Sequence, residues 1–539
     1  MIWLRRVCQL VCLGAFIVLL LASLNQLTLL IPENFFLRLD PLILIGTSIA
    51  AGGLAASYIP ALVVLASGPV VGRAFCGYVC PMGTTLDGGG FLVKAGRDKS
   101  ALIKYSAWKY LLLSAILAAG LIGISLVFVA SPISLITRLF TTVFTPLATG
   151  LGDLFLWAAL PAAEYFDWTG LIYLQIKPRY YATAAFVAAF FGTLLVLAKI
   201  SPRFWCRILC PSGALLALTS IKPLMRRRVS EACNECGKCQ RSCPMQAIPN
   251  DPHQTSHQEC LLCAKCQKVC PENAISYLGA ELSQRAAISP FLPNRRQVVL
   301  AGSVGLAAGL MSATGLAAVS KGQEVARRTS DFLIRPPGAL PEREFLARCM
   351  RCSQCSLACP TNILQPIWLD LNLADLFSPG LDPRLGPCDP HCISCANACP
   401  TEAIRELKPD ERLWAKVGTA VIIPNKCLAW EQQKKCMICD EVCPYGAIEM
   451  VRVQGNPVTV PKVHEERCSG CGYCAHHCPI RPHPAIIVTA QGALRLATGS
   501  YIQAGKRQGL HLSLKDKLKT PGASPDQQDP YGLPPAYGR

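Results

Sequence analysis

Residues 233–243 read C-N-E-C-G-K-C-Q-R-S-C before Pro244, and residues 260–270 read C-L-L-C-A-K-C-Q-K-V-C before Pro271. Two tandem runs of Cys-x2-Cys-x2-Cys-x3-Cys-Pro are the ligand pattern of paired 4Fe-4S clusters, each cube held by three thiolates of one run and the last of the other. Cys233, Cys236, Cys239 and Cys270 are assigned to one cluster, and Cys260, Cys263, Cys266 and Cys243 to its neighbour. Iron in such a cube takes soft thiolate ligands, and one cysteine every three residues wraps three corners while backbone N–H groups face the sulfurs. Structural zinc sites use two separated Cys-x2-Cys pairs, which this is not.

Outward from this stretch the chemistry repeats. Of 30 cysteines in 539 residues, 24 fall into six four-cysteine groups, so metal binding rather than a disulfide scaffold accounts for them. Cys349, Cys352, Cys355 and Cys359 keep the same spacing, as do Cys468, Cys471, Cys474 and Cys478. Cys388, Cys392, Cys395 and Cys399 carry one extra residue in the first gap, and Cys427, Cys436, Cys439 and Cys443 have eight residues there, insertions expected to leave the other three ligands in place. The four later groups pair either consecutively or first with fourth. Five groups run on into an Ala-Ile pair, whose Ile is expected to pack on the cluster and exclude water.

Only 16% of the residues are charged and mean hydropathy is positive, with the apolar residues concentrated before residue 200. Uncharged runs at 7–31, 41–72, 110–137 and 180–198 are each long enough to cross a bilayer once. Residues 139–176 contain Asp153, Glu164, Asp167 and several prolines, and read as a surface-lying or re-entrant segment. Lys and Arg outnumber Asp and Glu by 52 to 34. Cytoplasmic loops and anionic clusters explain that excess, and no basic stretch is interleaved with aromatics, so nucleic acid is not an expected partner. The basic loop after the second run and the basic stretch after the fourth place both on the cytoplasmic side.

An internal repeat agrees with that parity. Residues 73–86 read R-A-F-C-G-Y-V-C-P-M-G-T-T-L and residues 203–216 read R-F-W-C-R-I-L-C-P-S-G-A-L-L. Each follows a two-span hairpin, so pseudosymmetric packing would bring Cys76 and Cys80 towards Cys206 and Cys210. These four could hold a further metal centre, form redox-active dithiols, or merely pack. All eight histidines lie at or beyond His253 and no Cys-x2-Cys-His occurs, so no haem is expected. Residues 294–319 join twin arginines to a mild Gly- and Ala-rich apolar run, as in a twin-arginine export signal placed inside the chain, and are expected to remain as an anchor.

The expected architecture is an all-α membrane bundle of four spans plus one anchor, fused to α+β bacterial ferredoxin-like 4Fe-4S domains. Its parts are a membrane domain (1–222), a cytoplasmic two-cluster ferredoxin (223–285), an anchor (290–320), a periplasmic four-cluster ferredoxin (330–495) and a disordered tail (500–539). No Rossmann fingerprint, phosphate loop or catalytic triad suggests a substrate site; the expected role is electron transfer through six 4Fe-4S clusters.

Residues 1 to about 285 resemble the NapH family of membrane ferredoxins, with four spans, the two Cys-x3-Cys-Pro motifs and a terminal two-cluster ferredoxin. Residues from about 290 to 490 resemble the NapG/MauM family of exported four-cluster ferredoxins, including the twin arginines and the C-L-A-W-E-Q-Q-K-K-C-M-I-C-D-E-V-C-P group. The resemblance implies a fusion of the two in a bacterial inner membrane. It also implies a quinol dehydrogenase module passing electrons from the quinone pool to a periplasmic cytochrome or reductase, such as those for nitrate or nitrous oxide. The alternative is an accessory donor for maturation or reactivation of a periplasmic metalloenzyme. Oxidising quinol requires a base; Asp153, Glu164, Asp167 and Asp87 are the sequence's candidates.

Overall fold

The computed structural model describes residues 2–27, 29–53, 56–92, 106–249, 251–277, 293–314, 333–368 and 375–515. Much of the basic loop expected after the second apolar run (Lys94, Arg97, Lys99, Lys104) lies outside these residues, as does 516–539 of the expected tail.

The apolar N-terminal half is helical. Ile2–Asn25 and the continuous helical stretch Pro132–Tyr165 are the two helices among the described residues long and apolar enough to cross a membrane. Pro41–Ala51, Ile59–Val71, Trp108–Leu121 and Ala184–Ile200 are shorter apolar helices. The run at 41–72 is thus two helices, because Gly52 caps the first in the left-handed conformation at φ 68°. The run at 110–137 likewise breaks after Leu121, turns through Gly123 at φ 82° and restarts at Pro132.

Residues 139–176 are largely helical. Up to Tyr165 they continue the helix begun at Pro132, through one π turn at Phe140–Phe144. Pro146 sits in the first turn after that π segment, where the missing N–H costs little, and the Asp153 and Glu164 side chains lie on the exposed face. Prolines and charges that read as breaks in the sequence are absorbed by helix geometry.

The cysteine-rich regions form small α+β units. In all six groups the third cysteine sits on a one-turn helix: Lys238–Ser242, Lys265–Lys268, Gln354–Ala358, Ser394–Asn397, Ile438–Glu441 and Tyr473–His477. Two-stranded antiparallel ribbons close them. Arg227–Val229 pairs with Ile275–Tyr277 in the first unit; Leu364–Pro366 with Pro379–Leu381, Thr419–Ile422 with Ile486–Thr489, and Ile448–Val451 with Val460–Val463 in the second. Residues 500–515 belong to the second unit and are not a disordered tail. Tyr501–Arg507 is helical, Tyr501 is fully buried, and Leu510 and Leu512 join the core around Cys443 and Cys474.

The two ferredoxin units dock at opposite ends of the helical domain. Near the N-terminus of the Ile2–Asn25 helix, Arg5 and Gln9 donate to the Gly77 carbonyl, and Gly77 lies against Leu261 of the first unit. At that end Tyr78 donates to the Leu262 carbonyl (2.8 Å), and Glu259 pairs with Arg73 and Lys109. The C-terminal part of the same helix meets the Gln354–Ala358 helix of the second unit. There Ser134 donates to Met350 O (2.9 Å), Arg138 to Arg351 O (2.9 Å) and Arg179 to Leu357 O (2.8 Å). A helix of 24 residues is about 36 Å long, which sets the scale of the separation. The Arg295–Thr314 helix packs along Trp108–Leu121, with Gly302, Gly305 and Gly309 facing Ser114, Ala115, Ala118 and Ala119.

Candidate electron-transfer centres

The local backbone explains how each cysteine loop closes. In the four groups with standard spacing, the residues flanking the second cysteine are left-handed: Glu235 and Gly237, Leu262 and Ala264, Arg351 and Ser353, Gly470 and Gly472. Five of these are not glycine, in a region that L side chains rarely visit, and the strain is held by the sulfur-centred loop. The two groups with insertions depart here, since Ile393 and Met437 after the second cysteine have φ near −120°. Their insertions therefore re-form the first loop. Asp389 accepts from the His391 and Cys392 amides, and the longer insertion is fixed by Trp430 donating to Pro461 O and Asn456 to Ala429 O.

Three residues after the fourth cysteine a second left-handed position recurs, at Gln246, Asn273, Asn362, Glu402 and Gly446. It turns the next amide back onto the sulfur in two of these groups: Ala247 N donates to Cys243 Sγ and Ala447 N to Cys443 Sγ, both at 3.3 Å. In the last group the Ala485 amide does the same for Cys478 at 3.4 Å. In these three groups the Ala of the Ala-Ile pair thus donates its N–H to the sulfur. The Ile has the expected place, with Ile248, Ile275, Ile404, Ile448 and Ile486 all buried.

The structure brings 20 of the 24 cysteines into five sets of four. Enclosed cavities are lined by Cys243, Cys260, Cys263 and Cys266; by Cys427, Cys436, Cys439 and Cys478; and by Cys443, Cys468, Cys471 and Cys474. Cys349, Cys352 and Cys355 have Cys399 as neighbour, and Cys388, Cys392 and Cys395 have Cys359. The later groups therefore exchange their fourth cysteine consecutively, first with second and third with fourth. Thiol sets lined by apolar side chains and faced by amide donors fit 4Fe-4S clusters.

Sequence reasoning missed the side chains around the sulfurs. Arg412 donates to Cys388 Sγ (3.1 Å), Arg227 approaches Cys239 Sγ (3.6 Å), and the Tyr277 hydroxyl lies 2.9 Å from Cys266 Sγ. No spacing rule points to them, because each is distant in sequence or on a strand.

The sets form a series. Cys243 and Cys263 pack on the core of the helical domain, as does Cys352 at its far end. Within the second unit, the Cys388 amide donates to Cys471 O (2.8 Å), joining the two cluster pairs. Glu259, next to Cys260, is buried between Arg73 and Lys109: burial opposes its charge, but Lys109 and Arg73 outweigh that and hold its carboxyl below the usual range. Asp87 is clamped by Arg5, Arg203 and Gln9, so it is a structural anion rather than a free base. Asp153, Glu164 and Asp167 lie exposed on the helical surface.

Cys76, Cys80, Cys206 and Cys210 also come together. They pack in one core, and the last three are buried. Cys80, Cys206 and Cys210 lie within electrostatic range of Cys76, and Cys210 of all three others.

Comparison with known proteins gives the same chemistry. The family described as 4Fe-4S dicluster domain matches residues 434–481, and those described as 4Fe-4S binding domain match 54–98, 183–230 and 233–247. The Methylorubrum extorquens protein named methylamine utilization ferredoxin-type protein MauM is 36% identical over 195 residues, 35% of this chain and 86% of that protein. The Paracoccus denitrificans MauM is 40% identical over 162 residues, 29% of this chain and 70% of its own length. The Escherichia coli ferredoxin-type protein NapG is 32% identical over 212 residues, 37% of this chain and 89% of its own length. No solved structure matches.

Proposed function

Because the chain belongs to the family of ferredoxin-type proteins that includes MauM and NapG, we propose that it is a membrane-bound iron-sulfur conduit carrying electrons from the quinol pool to a periplasmic acceptor. One observation carries the reading: two ferredoxin units are docked, through buried contacts, at opposite ends of one apolar helical domain. In this reading the domain is the NapH-like half of a fusion and crosses the membrane four times. The broken pair 41–71 serves as one crossing and Trp108–Leu121 as another, and the exposed apolar face of Leu147, Leu151, Leu154, Phe155 and Trp157 on the Pro132–Tyr165 helix lies against lipid. The first unit then lies in the cytoplasm and the second in the periplasm, with Arg295–Thr314 retained as the anchor between them.

The quinol part of the proposal is supported by a cleft of about 1030 Å³ where the helices meet the second unit. Its walls are Ile17, Leu20, Leu24, Phe140 and Phe144, with Thr145, Gln175 and Asn362 as polar groups at the same mouth. Pro360 and Pro387, beside Cys359 and Cys388 of one cluster set, line its far side. An apolar cleft with a few convergent polar groups suits a quinol ring and its isoprenoid tail. Clusters bound to the 24 cysteines supply one-electron carriage; the chain's own part is to position them, keep water out and set their potentials through the N–H and Arg contacts described.

In anaerobic membranes, added quinol should reduce the clusters, and reporters fused near residues 250 and 335 should lie on opposite sides. Both reporters on one side would overturn the conduit. Similarity to MauM favours a second reading, in which the same cluster set donates electrons for maturation of a periplasmic metalloenzyme. It predicts that deletion leaves the partner incompletely matured even when an artificial donor supplies electrons.

A further inference from the structure

The helix Pro81–Leu92 carries three consecutive glycines, Gly88, Gly89 and Gly90, each of which weakens a helix relative to alanine. One has a packing reason, since a Cβ on Gly89 would overlap Leu195. The other two would meet nothing, because Gly88 and Gly90 border a cleft of about 880 Å³. There this helix, the Ile2–Asn25 helix and the end of Ala184–Ile200 meet the first ferredoxin unit. The missing side chains leave the cleft open.

The cleft is strongly cationic. Arg5, Arg6, Arg203, Arg241 and Lys265 line it against the single carboxylate of Asp87, which Arg5 and Arg203 already share. Among the described residues no carboxylate pairs with Arg6 or Lys265, and both side chains are exposed. Arg6 comes from the helical domain, Arg241 and Lys265 from the ferredoxin unit, so like charges meet in one cleft across a docking junction. They repel until an anion lies between them. The apolar wall decides which kind of anion. Arg6 stands between the exposed Trp3 and Leu10 at helical spacing, Leu10 and Ala198 line the cleft, and Val196 and Ile200 are exposed on the helix that brings Ala198. A soluble phosphate would use the cations and leave these walls bare, and a quinone would use the walls and leave the charge unmet. A phospholipid uses both, with its phosphate among the cations and its acyl chains along the exposed apolar residues.

We propose that this cleft binds one anionic phospholipid, whose phosphate bridges Arg6 on the helical domain to Arg241 and Lys265 on the first ferredoxin unit, a site that rests on the membrane-bound reading given above. Basic pockets between membrane helices on the cytoplasmic side recognise anionic headgroups in this way. Ser242 and Pro244 of the cleft flank Cys243, and Lys265 adjoins Cys266, so the lipid fastens one cluster set to the helices. Docking of the first unit then depends on the charge of the membrane around it.

Native mass spectrometry of the full-length protein in mild detergent, titrated with phosphatidylglycerol or phosphatidylcholine, tests this. One phosphatidylglycerol per chain should bind in preference to phosphatidylcholine, and a photoactivatable phosphatidylglycerol should crosslink to peptides containing Leu10 or Ala198. Arg6→Gln/Lys265→Gln should weaken that binding roughly 25-fold, at about fivefold for each cation removed, whereas the charge-preserving Arg6→Lys/Lys265→Arg should bind as the parent does. Both side chains are exposed, so these variants keep the fold. Gly88→Leu, which fills the cleft without touching a charge, should weaken binding as well. Equal binding of the two lipids, unchanged affinity in Arg6→Gln/Lys265→Gln, or displacement of the lipid by inorganic phosphate would overturn the proposal, the last because a soluble anion then suffices. Recovery of the protein in the membrane fraction is scored separately. Its absence there refutes the membrane reading itself, whereas loss of lipid selectivity in a membrane-bound protein refutes the site alone.

Discussion

Arg412 illustrates how single residues outside the cysteine motifs set the chemistry. Its guanidinium donates to Cys388 Sγ, and to the carbonyls of Cys392 and Asp389, so a positive charge is fixed beside one cluster. Such a donor stabilises the reduced, more negative state. Arg412→Gln should lower that cluster's potential by on the order of 60 mV, the equivalent of about one charge-assisted hydrogen bond, in a redox titration followed by paramagnetic resonance. Glu259 acts differently. Glu259→Gln removes the carboxylate between Arg73 and Lys109, leaving buried cations unpaired at a cost of about 3–5 kcal/mol. The expected outcome is release of residues 223–277 from the helical domain, seen as faster proteolysis at the junction while the two clusters of that unit stay intact.

Among the elements, the Glu342–Arg348 helix is tied at its first residue, where the carboxylate of Glu342 bridges Arg335 and Arg495. Burial raises the Glu342 carboxyl, but Arg335 and Arg495 overcome this and hold it below the ordinary glutamate value. A depressed carboxyl contributes stability that is present above its unfolded pKa and lost as pH falls through the folded one. Glu342→Gln should therefore flatten the acid limb of the unfolding curve of the second ferredoxin unit and leave its neutral limb parallel to wild type. The Arg295–Thr314 helix depends on closeness instead. A Cβ at Gly305 would overlap the Ala115 carbonyl oxygen, so Gly305→Leu should separate this helix from Trp108–Leu121. The measurement is disulfide trapping between cysteines placed at Gly302 and Ser114, efficient in the parent and lost in the variant.

At the scale of the molecule, what the sequence made legible was what is local. A cube whose corners are met by residues three apart leaves a spacing that survives insertions, so all six groups and the buried Ile could be read directly. Which of the four later groups exchange their fourth cysteine could not, because it depends on which loops meet in space. Nor could the helix breaks: Gly52 and Gly123 end helices inside uncharged runs, while Pro146 follows a π turn that accommodates it in a continuous helix. The folding of residues 500–515 was hidden for a related reason. A polar stretch looks unstructured until Tyr501 and Leu510 find a core that also holds Cys443, Cys474 and Ile486. For the quartet of Cys76, Cys80, Cys206 and Cys210, the repeat announced the meeting of the two motifs. Only the crossing of Arg73, which donates to Cys206 O beside Gly213, and of Arg203, which donates to Cys76 O and Gly83 O, says why its Arg and Gly are there.

That crossing also fixes an order of events during synthesis. Arg73 must wait for Cys206 and Gly213 to emerge from the ribosome, and then for Glu259, before its charge has its partners. A nascent chain truncated after the first hairpin therefore has half a pocket and an unneutralised guanidinium. A single copy of the repeat, expressed alone, lacks the carbonyl oxygens that its own arginine reaches in the full chain.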